Sequence, residues 1–435
     1  MLSTRLAAWL DSRNIHYGWV VAATTFLTML ATAGAMGSPG VMLEPLQRDF
    51  GWQNADISFA LAIRLVLYGL MGPFAAALMN RFGVRNVVCT ALSLIAAGLL
   101  GSLAMVSVWQ LVVFWGILVG LGTGMTAIVL GATVATRWFS RRRGLVVGMM
   151  TASTATGQLV FLPLLAHLTQ GMGWRAALLF VVAIVLLALL AVLLLMRDYP
   201  SDVRLAPFGE KKVTEPPVRG GRLSSVLSSP VIALREASRS SMFWVLFLTF
   251  FVCGLSTNGL IQTHWISLCG DFGIAPVGAA GMLAMIGVLD FIGTIFAGWL
   301  SDRYDNSWLL FWFYGLRGLS LLFLPFSEFT LVGLTIFGLF YGLDWVATVP
   351  PTVKLTVERF GTERATLIFG WIFAGHQLGA ATAAFGAGAT RTIFGTYLPA
   401  LYVAGAMCIV AALLVISVRP RAKREPGFGW PKAST

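Results

Sequence analysis

Six side chains that carry or can take up a charge stand inside otherwise apolar stretches: Arg64, His264, Asp290, Arg317, Asp344 and His376. An ionised group in the middle of a hydrocarbon layer costs roughly 2.5–3.5 kcal/mol even on the lenient insertion scale, so each needs a partner or a task. Two acids set against one arginine leave a carboxylate that can take up a proton. Asp290 or Asp344 is therefore expected as a proton-coupling acid, with Arg317 neutralising one of them. His376, beside Gln377, suits a proton relay or a hydrogen-bonded packing role. Arg64 presents a guanidinium fork that matches an anionic solute bidentately; the other choice is an ion pair with Glu44. Asn258, Gln262 and Trp265 follow an i, i+4, i+7 spacing, one face of a helix, and offer either a solute-contacting stripe or hydrogen bonds between helices.

The elements that must position these groups are membrane helices. Hydrophobic residues make up 57% of the 435 residues and charged residues 11%, with a mean hydropathy of +0.82. Soluble domains average about 25% charged residues, so water is not the main solvent. Twelve apolar runs are each long enough to cross a core about 30 Å thick. They are spans 1 to 12: 17–40, 54–79, 84–105, 108–136, 144–168, 174–197, 242–268, 276–300, 307–327, 330–353, 365–389 and 394–418. The fold class expected is an all-helical membrane protein of two six-helix bundles, residues 1–197 and 242–435, joined by a Pro-, Gly- and Ser-rich linker over 198–241. Within that linker, Leu223 to Arg239 reads as a short interfacial helix. No cleavable leader is expected, because Met1–His16 lacks an apolar core followed by a small-residue cleavage site.

The net charge of +12 is a topology signal and predicts no nucleic-acid partner. Arg81, Arg85, Arg137, Arg141 to Arg143, Arg303, Lys354, Arg359 and Arg364 fall in alternate loops, and the intervening loops are nearly free of basic residues. By the positive-inside rule both termini are expected to be cytoplasmic; the location expected is a plasma membrane, the bacterial inner membrane. Cys89, Cys253, Cys269 and Cys408 lack metal-ligand spacing and read as small core residues. Glycines in span 4 (Gly116, Gly120, Gly122, Gly124) and span 11 (Gly375, Gly379, Gly386, Gly388) are expected to let helix backbones approach closely.

The two halves repeat. Asn80-Arg81 returns as Asp302-Arg303, Arg137 as Arg359, Gly148 as Gly370 and Gly157 as Gly379, each pair 222 residues apart (302−80, 359−137, 370−148, 379−157). Tandem halves in a membrane protein point to a solute path between them. Counting about 1.5 Å per residue from the basic loops puts Asp290 and His376 roughly 18 Å deep, Arg317 roughly 16 Å and Asp344 roughly 15 Å. The repeat maps these four onto Tyr68, Thr154, Ile95 and Gly122, so the deep charges belong to the second half alone.

The stretch Ala76 to Arg85 after span 2, and Gly298 to Arg303 after span 8, resemble the loop motif of the major facilitator superfamily, in which Asp-Arg sits among glycines and basic residues. Asn80 replaces the first Asp, and Asp305 stands where glycine is usual. The resemblance implies inner-gate latches at Asn80, Arg81, Arg85, Asp302 and Arg303. Tyr17-Gly18-Trp19, and Gly342 through Pro350-Pro351, resemble the monocarboxylate-transporter branch. That branch implies proton-linked movement of small organic anions. Its typical members carry a lysine in span 1 and an arginine four residues after the span 8 Asp; here span 1 has no lysine and Thr294 follows Asp290.

No Gly-rich phosphate loop ending in Lys-Ser/Thr occurs, and the four histidines have no HExxH-type spacing, which argues against an ATP-driven pump and a metalloenzyme. The function expected is proton-coupled secondary transport of a small organic solute, an organic anion first, by alternating access. The alternative is a carrier or exporter of a larger neutral or aromatic, vitamin- or drug-like metabolite, since 30 Phe and 15 Trp could line such a path. A monomer without cofactor or metal is expected, with lipid, protons and the solute as its partners. Uptake and export stay open.

Overall fold

A computed structural model describes residues 2–210, 212–213, 223–301 and 303–417. Among these residues every regular element is a helix, with one isolated backbone bridge between Phe139 and Phe208. Eleven of the described helices are long and apolar enough to cross a membrane. Arg143–Met172, a helix of 30 residues, stands in the place of span 5 and completes the set of twelve.

Span 1 is longer than the sequence suggests, running over Gly18–Phe50 through Pro39 and Pro45. Proline is tolerated inside a membrane helix where neighbouring groups take up the carbonyl it frees. Pro39 frees the carbonyl of Ala35, which accepts from the Ser38 hydroxyl (3.0 Å) and from Arg64 (3.4 Å). The helix stops at Gly51, whose φ of +71° suits glycine and whose N–H bonds back to Gln47.

Span 4 carries a π segment at Val112–Val119, and two further departures from regular helix shape the sites described below. Span 7 (Ser241–Asp271) contains a wide π segment at Leu255–Gln262. Span 10 is broken: Leu331–Asp344 ends at the acid, a turn covers residues 345–348, and a second helix restarts at Val349–Phe360 with Pro350 and Pro351 in its first turn. Asp305, the residue in the glycine position of the second loop, caps span 9 by accepting from the N–H groups of Ser307 (2.9 Å) and Trp308 (3.1 Å).

The halves meet chiefly along spans 2 and 11 and along spans 5 and 8. The span 2–span 11 seam is closed over its length. Phe59 meets Phe385, Tyr68 meets Phe373, and Phe74 meets Trp371, with ring centroids 5.9–6.0 Å apart. Between these rings Ala62, Leu65, Ala380, Ala381 and Ala384 pack together. The expected small-residue contacts are present in span 4, where Gly116 and Gly120 lie against the span 2 backbone at Ala60 and Arg64. Gly379 similarly faces the Phe251 carbonyl of span 7. Before the second bundle, helix Leu223–Ala237 reaches span 11, where Trp371 Nε1 donates to the Pro230 carbonyl (2.8 Å).

Candidate functional site

Two of the deep charges of the second half, Arg317 and Asp344, form one network. Arg317 is fully buried and donates through Nε to Asp344 Oδ2 at 2.8 Å. Its Nη1 points at Cys253 Sγ (2.9 Å), and its Nη2 donates to the carbonyls of Asp344 and Trp345, the latter at 3.1 Å. Those carbonyls end the first half of span 10, where helix geometry leaves acceptors without partners and the dipole favours a cation. Arg317 therefore neutralises Asp344 and caps a broken helix at the same time. Cys253 accepts from Arg317 and lies 3.3 Å from Thr348 Oγ1, so it does more than fill space. Nothing in its spacing signals that.

Asp290 is placed differently. Its Oδ1 accepts from Thr294 (3.0 Å), the residue where the monocarboxylate branch has arginine, and from the Val346 N–H (3.0 Å) within the turn that breaks span 10. Among the described residues, no cation lies within ion-pair distance of it. The structure thus separates the two acids that the sequence left equivalent. His376 is not brought to either of them. Its ring stacks on Phe373 (5.7 Å, 8° between planes) and lies 5.0 Å from Phe250, and Nδ1 is 3.2 Å from Gln377 Nε2.

A second site lies in the seam. Arg64, 3% exposed, enters from span 2 and donates Nη1 to Met36 (3.1 Å) and Ala35 of span 1. Its buried Nε has no partner among the described residues. With Met36 and Gly40 from the first half, and Asn258, Gln262 and Thr263 from the second, it lines an enclosed cavity of about 10 Å³. That is about the space one water molecule needs. Glu44 is not the partner of Arg64; it lies 3.9 Å from Arg48, four residues on and exposed.

The stripe on span 7 divides. Asn258 and Gln262 reach the Arg64 cavity, whereas Trp265 turns away, donating Nε1 to the Ala279 carbonyl (3.0 Å) and stacking on Phe337 at 5.5 Å. The π segment is the cause. Its widened turn, seen in the bond from Thr263 Oγ1 to the Asn258 carbonyl (2.7 Å), breaks the register that i+7 spacing assumes.

At the basic face, Asn80 Oδ1 accepts from Arg137 (2.7 Å), whose guanidinium also lies 4.5 Å from the Tyr199 ring. The carboxylate that binds this loop comes from Asp198, after span 6, which accepts from the Arg85 N–H (2.9 Å). Arg81 lies over Phe82 (5.5 Å) and Arg303 over Trp299 (4.1 Å). Lys354 donates to the Ser301 carbonyl (2.7 Å), tying span 10 to span 8. Asp302 lies outside the described residues.

Twelve helices in two interlocked halves, with a buried polar cavity on the seam, define a membrane transporter. The chain belongs to the Major Facilitator Superfamily, whose family model matches residues 24–348 and 268–434. It is 27% identical to monocarboxylate transporter 13 of Bos taurus over 405 residues, covering 92% of this chain and 89% of that protein. It is 24% identical to the uncharacterized MFS-type transporter YcxA of Bacillus subtilis, over 92% and 95% of the two chains. Among solved structures it resembles a D-xylose-proton symporter (TM-score 0.69, 16% identity, 94% and 99% covered). It also resembles a partially occluded inward-open form of the xylose transporter XylE from E. coli (TM-score 0.68, 15% identity, 93% and 100% covered). At such identities the two structures bear on the fold alone.

Proposed function

We propose that this protein is a proton-coupled carrier of a small organic anion, working by alternating access between residues 1–197 and 242–435. The observation that carries the reading is Arg64: a buried guanidinium with an unused Nε–H, set between the halves and facing Asn258 and Gln262. A carboxylate seated there takes a charge-assisted bond from the first half and amide bonds from the second, so binding it draws the halves together. In the closed seam the cavity holds one water at most, which fits an occluded, unloaded state. The likeness to a monocarboxylate transporter supports the anion class.

Asp290 is the acid assigned to the proton. It holds the Val346 N–H at the break of span 10 without a cation beside it, whereas Asp344 is fixed by Arg317. Neutralising Asp290 weakens its grip on that turn and frees the lower half-helix, which carries Lys354 to the basic face. Asn80, Arg81, Arg85, Asp302 and Arg303 form the gate of that face, which we assign to the cytoplasm together with both termini. The carrier acts as a monomer in the plasma membrane.

The test is counterflow in proteoliposomes with labelled short-chain monocarboxylates and their uncharged amides, with and without an imposed pH gradient. The anions are expected to exchange and to accumulate when the outside is acidic. Exchange of the amides alone, or accumulation indifferent to the gradient, overturns the reading.

A further inference from the structure

The end of the seam opposite the basic face gathers five buried side-chain atoms that find no partner among the described residues. They are Asn54 Oδ1 and Ser58 Oγ of span 2, His264 Nδ1 and Ser267 Oγ of span 7, and the Tyr397 hydroxyl just before the helix Leu398–Ser417 of span 12. They are neighbours. The Tyr397 ring is 5.1 Å from the His264 ring, and its hydroxyl stands beside Ser267 and Asn54 without a well-aligned bond to either. Ser58 packs over Gly388 of span 11, next to the Asn54 carbonyl. The first half supplies two of these residues and the second half three. One direct bond crosses the same place, from the Ala55 N–H to Thr392 Oγ1 (3.3 Å).

The chemistry of the cluster follows from its donors and acceptors. His264 Nε2 lies 2.8 Å from the Ala384 carbonyl. A carbonyl only accepts, so Nε2 carries the hydrogen and the neutral ring presents Nδ1 as a bare lone pair. Asn54 Oδ1 is a second pure acceptor, and the three hydroxyls can turn either way. Leaving such atoms buried and unpaired costs about 1–3 kcal/mol each, so the arrangement calls for a small hydrogen donor. Sequence spacing gives no hint of it, because the five positions come from three separate segments.

We propose that this cluster is a proton-binding latch on the outer seam: a water seated among Asn54, Ser58, Ser267 and Tyr397 passes a proton to His264 Nδ1, and the charged ring parts the halves at that face. As the N–H bond forms at Nδ1, an O–H bond of the seated water breaks, and that water regains a proton from hydronium in the bulk; the net change is one bulk proton taken up by the ring. Among the described residues the ring has no counter-ion in contact. The charged groups on the elements around it are already engaged: Asp271 with Arg391 (2.8 Å), Glu44 with Arg48 (3.9 Å), and Asp49 with Arg175 (3.0 Å). Asp56 accepts from the Gln53 N–H (3.2 Å). A buried imidazolium without a partner is costly, and admitting water by opening the seam is the cheapest relief. Acid on this face therefore favours the outward-open form. The proposal rests on the two halves parting here, not on the identity of the solute or on Asp290.

Hydrogen–deuterium exchange of the full chain in nanodiscs, without solute and corrected for the intrinsic rate, reads the latch directly. Peptides around Ala55 and Thr392 are expected to exchange about threefold or more faster at about pH 5.5 than at about pH 7.5. Peptides of the same seam near Pro73 and Gly370 should not respond. His264→Gln keeps an N–H for Ala384 and is expected to abolish the response. Tyr397→Phe, which removes one hydroxyl only, should move the midpoint of the response, and an unmoved midpoint counts against the latch. No acid response in the native chain, tighter protection in acid, or a response that survives His264→Gln overturns the proposal. So does protection that follows sodium instead of pH, which would make the cluster a metal-cation site. Because no solute is present, a failure here is distinct from a failure of the anion-carrier reading.

Discussion

Among the described residues each half buries one arginine away from its loops, and the two are treated in opposite ways. Arg317 spends its donors on Asp344, Cys253 and two helix-end carbonyls, all within the second half. Arg64 spends one nitrogen on span 1 carbonyls and leaves Nε unpaired on a cavity that both halves line. The contrast separates a structural cation from a working one. A guanidinium whose bonds are filled inside one rigid bundle has little left for a solute, while one held only by backbone carbonyls keeps its charge for a visitor.

The comparison can be broken most forcefully at Arg317. Arg317→Leu strands Asp344 in the interior and is expected to destabilise the protein by about 3–5 kcal/mol, read by thermal unfolding in detergent. Adding Asp344→Leu should recover about half of that loss or more, because a buried pair replaced by packed apolar groups is often tolerated. A double variant no more stable than the single one would mean that the carbonyl caps, rather than the ion pair, dominate.

Arg64→Gln should show the reverse pattern. Stability is expected to change little, whereas solute binding weakens by about 2–4 kcal/mol, on the order of 30- to 1,000-fold in Kd by isothermal titration. Unchanged affinity for a transported anion would remove Arg64 from the site and erase the contrast.

Asp290→Asn sharpens the comparison within the second half. The amide still accepts from Val346 but cannot cycle a proton, so labelled exchange should persist while uphill accumulation under a pH gradient disappears. Asp344→Asn, in a protein stable enough to assay, should accumulate solute normally. The opposite outcome for the pair would transfer the proton to Asp344.

The smallest effect is expected at Trp265. Trp265→Phe loses one bond to the Ala279 carbonyl, about 1 kcal/mol of stability, and should leave solute affinity unchanged. A clear change in affinity would place the indole back in the solute path.

The candidate site was only half legible in the chain, for reasons particular to each residue. Arg64, Asn258 and Gln262 stand out as polar groups in apolar runs, and they do meet. Trp265 shares their spacing but not their cavity, because a π turn intervenes and no residue pattern announces it. Asp290 and Asp344 look alike at similar depth, yet the fold gives the only nearby guanidinium among the described residues to Asp344.

What the sequence determined alone is the kind of molecule: a helical membrane protein in two repeated halves, with its basic loops on one face. Hydropathy, helix length and repeat offset are sums over neighbours in the chain and need no knowledge of what touches what. The tertiary structure decided which acid owns the arginine, which half-helix breaks, and which polar atoms are left open on the seam. Those outcomes depend on how each helix is rotated and where it crosses another, and a single π turn or proline is enough to change them.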